Sequence, residues 1–239
     1  MARLLEVCVD SAASLAAAVA GGADRIELCS ALELGGLTPT AGLMQQAAKL
    51  KIPTYAMVRP RGGDFVFSEG DVAVMLGDID AIRAAGLAGV VLGASHVDGT
   101  LDGAVLGRLT RYAQGLGRTL HRAVDLVPDL AAAVETAVAH GFERILTSGG
   151  AATAIEGLEG LQNAIQAARG RISIMPGSGV TAANVERIIA ATGAFEVHAT
   201  CSVSRAGMGG KVVDLGFAGP TRRATSADVV AGLKAALNA

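Results

Sequence analysis

The sequence predicts a single-domain (β/α)8 barrel over residues 1–239. Three observations lead there. Eight short Val/Ile/Leu-rich runs alternate with Ala-rich stretches of helical propensity, and no hairpin signal joins successive runs. No Ser/Pro linker or change of composition divides the chain. Its 239 residues are the length that eight such units occupy, which favours a barrel over an open doubly wound sheet.

The predicted strands, in order, are Leu4–Val9, Arg25–Ser30, Ile52–Arg59, Gly89–Ser95, Arg118–Asp125, Arg144–Ser148, Ile172–Gly177 and Phe195–Thr200. The helices between them are Ser14–Ala20, Ala41–Leu50, Ser68–Ala85, Ala104–Gln114, Leu130–His140, Ala154–Ala168 and Ala182–Ala191, and Ser226–Leu237 closes the chain. Gly21–Gly22, Gly86, Gly141 and Gly193 end helices just before strands, where a left-handed C-cap is expected. Strands joined through helices run parallel.

Composition excludes several functions. With 20 Lys and Arg against 22 Asp and Glu, and no basic run interleaved with aromatics, no nucleic-acid or anionic-membrane partner is expected. The start, MARLLEVCVDS, lacks a secretory pattern, and the Ala-rich run Ser11–Ala23 is too short and weakly apolar to span a bilayer. Three cysteines at wide spacing make no disulfide framework, so a reducing cytoplasm is expected. Aromatics are 3% of residues, so Ala, Val, Leu and Ile must fill the core.

Strand parity sorts the polar residues. Val7, Val9, Ile26, Leu28, Ala56, Val58, Leu120 and Val124 take the helix-facing side. The interior side collects Glu6 and Cys8, Glu27 and Cys29, Met57 and Arg59, His121 and Asp125, and His198. Most lie near the carboxyl ends of their strands, where barrels build their sites. A salt-bridge network filling the barrel is one reading, with Arg59 neutralising Glu6 and Glu27. Polar groups on five strands favour a ligand or metal site.

Cys8 and Cys29, each two residues after a Glu on neighbouring strands, are read as equivalent positions able to reach one soft ion such as Cu(I), with Met57 nearby. RPRGGDF brings Arg59 and Arg61 to a Gly-rich loop suited to an anion or a mobile lid. PGSGVTAAN and HATCSVS follow the seventh and eighth strands, the common phosphate grip of a barrel, and offer backbone N–H groups at Gly177, Gly179 and Ser202. Tight turns alone would explain those glycines equally well. His96 and His140 are read as solvated.

Taken together, EVCVDS, GGADRIELCSALELGGLTPT, VRPRGGDF, HRAVD, RILTSGG, IMPGSGVTAAN and EVHATCS resemble the CutC family of copper homeostasis proteins, from Leu4 to about Gly210. The resemblance implies a (β/α)8 barrel, a cytoplasmic homo-oligomer, and copper binding and trafficking. It places the proposed copper ligands on Cys8 and Cys29. The chain has HRAVD where HRAFD is usual, and PGSG where PGGG is usual, which sets the Ser178 side chain in the anion loop. Two classes stay open: a copper-binding protein using Cys8 and Cys29, or an enzyme on a small anionic substrate. The enzyme would use Glu6, Glu27, His121 and Asp125 for acid–base work or a hard metal, with Arg59 and His198 at the ligand.

Overall fold

A computed structural model describes residues 3–239; Met1 and Ala2, part of the start read above, lie outside it. Eight parallel strands form one sheet: β1 Leu4–Val9, β2 Arg25–Leu28, β3 Thr54–Met57, β4 Gly89–Leu92, β5 Gly117–Leu120, β6 Arg144–Thr147, β7 Ser173–Pro176 and β8 Glu196–Ala199. Their order is β7-β6-β5-β4-β3-β2-β1-β8, which curls the sheet into a nearly closed barrel. The helices outside it are α1 Ala12–Ala20, α2 Ala41–Ala47, α3 Glu69–Ala84, α4 Gly103–Tyr112, α5 Leu130–Ala139, α6 Leu158–Ala168 and α7 Val185–Thr192. After the barrel come an antiparallel hairpin, β9 Ser202–Ala206 with β10 Thr221–Thr225, a one-turn helix α8 Lys211–Asp214 between its strands, and α9 Ala227–Leu237. The hairpin and α8 were not expected: their residues are largely exposed and carry no apolar alternation.

Helix starts follow local chemistry. Ser68 and Asp71 form a reciprocal capping box at α3, and Asp102 and Asp129 cap α4 and α5. Gly22, Gly86, Gly141 and Gly193 take left-handed φ of 87°, 75°, 70° and 67°, as expected of helix ends. Gly21 does not: its φ is −80°, and what it supplies is room, since a Cβ there would lie 2.5 Å from Ala227 O on α9.

The helix-facing parity holds. Leu5, Val7, Val9, Ile26, Leu28, Ala56, Leu120 and Val124 are fully buried in one apolar shell between sheet and helices. Inside, the lower barrel is filled by ion pairs packed around the Tyr55 ring. Arg25 binds both Glu6 and Glu196, its Nη2 donating to Glu196 Oε2 at 2.5 Å, and Arg144 lies 3.4 Å from the other oxygen of Glu196. The Arg25 and Arg144 guanidiniums face the ring of Tyr55 at 5.7 and 4.7 Å. Gly89 and Gly117 have no side chain because Tyr55 occupies that space; a Cβ at either would run into its ring. This packed floor closes the barrel below and leaves its carboxyl end open.

Candidate site at the barrel mouth

Above the floor lies a cavity of about 440 Å³, lined by residues from β1, β2, β3, β6 and β8, the loops following β2, β3, β5, β7 and β8, and β10 and α9. Cys8, Glu27, Met57, Arg59, His121 and His198 all reach it. Gly177 and Gly93 shape its wall: a Cβ on Gly177 would collide with Leu146, and one on Gly93 would sit 2.5 Å from His121 Cε1. Without those glycines the Leu146 side chain and the His121 ring would have to move.

The densest chemistry sits between β1, β2 and β8. One donor atom each from Cys8, Glu27 and His198 lies within 4.8 Å of the other two, and all three residues are buried. His198 Nδ1 donates to Glu6 Oε1 at 2.8 Å, and its Nε2 is 3.8 Å from Glu27 Oε2. Cys29 Sγ, one layer higher, donates to the same Glu27 oxygen at 3.6 Å.

The two carboxylates are pushed apart electrically. Burial opposes ionisation of both. At Glu6 the Arg25 guanidinium and His198 outweigh it and hold the carboxyl down at about 2. Glu27 has no such cation bonded to it, so burial prevails over the attraction of His198 and lifts its pKa. Burial also raises Cys8, against the pull of His198, and raises Cys29 further, with Glu27 adding repulsion. At His198 burial disfavours the charged ring, yet the Cys8 and Glu27 charges and the Glu6 bond lift it well above its ordinary value.

Several sequence expectations are corrected by the geometry. Cys8 pairs in register with Glu27, and Glu6 with Arg25, because strands of a closed barrel are staggered. The two thiols are therefore diagonal, one layer apart, rather than side by side. Arg59 does not neutralise the acids: its guanidinium donates to the carbonyls of Leu34, Gly36 and Gly63 at 2.9, 3.2 and 2.7 Å. The acids' cation is Arg25, which sequence reading missed although it shares interior parity with Glu27 and Cys29.

Asp125 does not lie on the fifth strand. That strand stops at Leu120; His121 caps a 3-10 turn, Arg122–Leu126, and Asp125 turns its carboxylate to Thr147, to the N–H groups of Ser148 and Gly150, and to Arg122. It clamps the β6 loop. Arg61 also turns away, binding Asp64 Oδ1 at 2.9 Å and Val66 O at 2.6 Å. Gly177 spends its N–H on Thr147 O at 3.0 Å. Gly179 and Ser202 do line the cavity, Ser202 Oγ accepting from Arg223 Nε at 2.9 Å. Ser178 adopts the left-handed φ of 72° that glycine favours, its Oγ donating to Ala152 O at 2.8 Å.

Comparison with known proteins agrees with this architecture. The CutC family model matches residues 3–203. This chain belongs to the CutC family. A CutC family protein of Sinorhizobium medicae is 57% identical over 99% of this chain and 96% of its own length. One from Caulobacter vibrioides is 51% identical over 99% of this chain and 97% of its own. The crystal structure of CutC from Streptococcus agalactiae, named for copper homeostasis, superposes with a TM-score of 0.79 at 32% identity, covering 83% of this chain and 98% of that one. A thiamine phosphate pyrophosphorylase of Pyrococcus furiosus shares the fold alone, at 16% identity and a TM-score of 0.61. The CutC family match ends at the first residues of β9, so most of the hairpin lies beyond it. Among the described residues, no helix is long and apolar enough to cross a membrane.

Proposed function

We propose that this CutC-family chain binds copper as Cu(I) at the barrel mouth and so takes part in copper homeostasis in the cytoplasm. The observation that carries the reading is the convergence of Cys8, Glu27 and His198 donor atoms within 4.8 Å of one another. Cu(I) is soft and takes thiolate and imidazole donors in low coordination numbers. Cys8 and His198 are the natural first donors, and Cys29, bonded to Glu27 in the layer above, would supply the second sulfur. Met57, close to Cys29 beside Gly36, is an available thioether. Glu27 is the harder donor and serves better by taking protons from its neighbours. All three cysteines are free and buried, which fits a reducing compartment.

The test is an anaerobic Cu(I) titration against a competing chelator. Cys8→Ser and Cys29→Ser should each remove most of the affinity while circular dichroism stays unchanged. A double variant binding Cu(I) as tightly as the parent contradicts the reading.

A second reading, catalysis on a small anionic substrate, is favoured by one specific feature. Glu6 and Glu27 face one His198 with pKa values moved in opposite directions, the pattern of an acid–base pair. His121 would join them; Asp125, spent on the β6 loop, would not. Homo-oligomer formation is proposed through the hairpin arm, where Met208, Leu215 and Phe217 are exposed.

A further inference from the structure

In two residues that line the same cavity as Cys8, Glu27 and His198, a buried nitrogen is left without a partner. Among the described residues, His121 Nε2 and Arg59 Nε meet no hydrogen-bond acceptor, although their residues are only 3% and 4% exposed and both line the cavity. Buried polar atoms are rarely left so, because each forfeits hydration without replacement.

The state of the His121 ring follows from its bonds. Its Nδ1 accepts the N–H of Ala123 at 3.2 Å, and a backbone N–H can only donate. The proton of the neutral ring therefore sits on Nε2, making that atom an N–H donor. The ring is held in place by Phe65, 4.8 Å between centroids, and Gly93 supplies the space for it.

Arg59 is charged at any ordinary pH. Its three Nη bonds go to carbonyls, and its guanidinium lies over the same Phe65 ring at 4.7 Å. No carboxylate among the described residues forms an ion pair with it. A buried guanidinium without a counter-charge is costly, as is an unpaired imidazole N–H beside it.

We propose that this wall of the cavity binds the carboxylate of a small organic acid, one oxygen accepting from His121 Nε2–H and the negative charge answering Arg59. The cavity is large enough for several non-hydrogen atoms beyond that group, and Leu32, Met57, Phe65 and Leu146 offer them apolar contact. The site goes beyond copper binding and needs no metal; it deepens the catalytic reading by naming the substrate class. Carboxylate is favoured over phosphate because Arg59 supplies a single positive charge with one free N–H.

The test uses the metal-free full chain, 15N-labelled at histidine, at pH 7.5, with sodium acetate as the probe and sodium chloride at matched ionic strength. Acetate should shift the His121 Nε2 resonance saturably, and chloride should not. By calorimetry, His121→Phe should bind acetate at least tenfold more weakly, and His121→Gln, which keeps a donor, should recover part of that loss. Inorganic phosphate at the same concentration should shift the resonance less. An unmoved His121 resonance up to 100-fold excess acetate over the half-saturation seen for any other histidine, equal acetate affinity in His121→Phe, or tighter binding of phosphate overturns the proposal. Binding is read without turnover, so acetate bound here by a chain that catalyses nothing supports this site and ends only the catalytic reading.

Discussion

Arg25 and Glu196 meet inside the barrel, Nη2 to Oε2 at 2.5 Å, while Nε of the same guanidinium bonds Glu6. One cation on β2 thus ties β1 and β8 together beneath the cavity and holds Glu6 ionised under His198. Replacing it with Met would leave Glu6 with His198 alone and Glu196 with Arg144 alone, at 3.4 Å, to answer their buried charge. Arg25→Met should cost about 3–5 kcal/mol in urea unfolding. A loss under about 1 kcal/mol would show that water reaches the floor and screens the acids.

His121 gives an acid-side signature. Burial, with Arg59 close by, holds its pKa down at about 3 from 6.5. Between those values the unfolded chain carries a proton that the folded chain refuses, so stability rises with pH across that window. The contribution is complete above pH 6.5 and is lost as pH falls towards 3. Unfolding free energy measured from pH 7 to pH 4 should therefore drop more steeply in the parent than in His121→Phe, by up to about 1.4 kcal/mol per pH unit. Parallel curves would contradict the neutral, buried ring.

Asp125 is expected to act on the loop after β6. It accepts from the N–H groups of Ser148 at 3.0 Å and Gly150 at 3.1 Å, and from Arg122 Nε at 2.7 Å. Asp125→Ala should destabilise by about 1–3 kcal/mol through those orphaned donors. Hydrogen exchange at Ser148 and Gly150 should accelerate while Leu146 stays protected. Unchanged exchange there would refute the clamp.

Tyr55 and Gly89 form a size pair on the barrel floor. A methyl group at Gly89 meets both the Tyr55 ring and Gly117 O, the latter at 2.6 Å. Gly89→Ala should destabilise by about 1–3 kcal/mol, and less in a Tyr55→Val background, a coupling that a double-mutant cycle reads directly. Simple additivity would place the clash elsewhere.

The barrel was legible because parity and Ala-rich spacing report burial directly: Val7, Ile26 and Ala56 are buried where alternation placed them. Which residues share a level was not, since it depends on the stagger of closure rather than on position within a motif. Cys8 and Cys29 occupy the same place in EVC and ELC, yet the register sets Cys8 beside Glu27. Arg25 is hard to read as a site residue for a related reason: it begins its strand, as Glu196 begins β8, far from the carboxyl ends where barrels build their sites. Carrying the interior parity one step down each strand finds both. Asp125 misled because His121–Asp125 reads as a strand continuation, whereas the chain leaves the sheet at Leu120 and the imidazole caps the turn that follows.

The central claim is that Cys8, Cys29 and His198 converge on one copper ion, and X-ray absorption at the copper edge of the reduced, Cu(I)-loaded protein tests it most directly. Two sulfur neighbours and one nitrogen neighbour are expected, falling to one sulfur in Cys29→Ser and losing the nitrogen in His198→Ala. A copper shell of nitrogen and oxygen alone, or one unchanged by both substitutions, would contradict it.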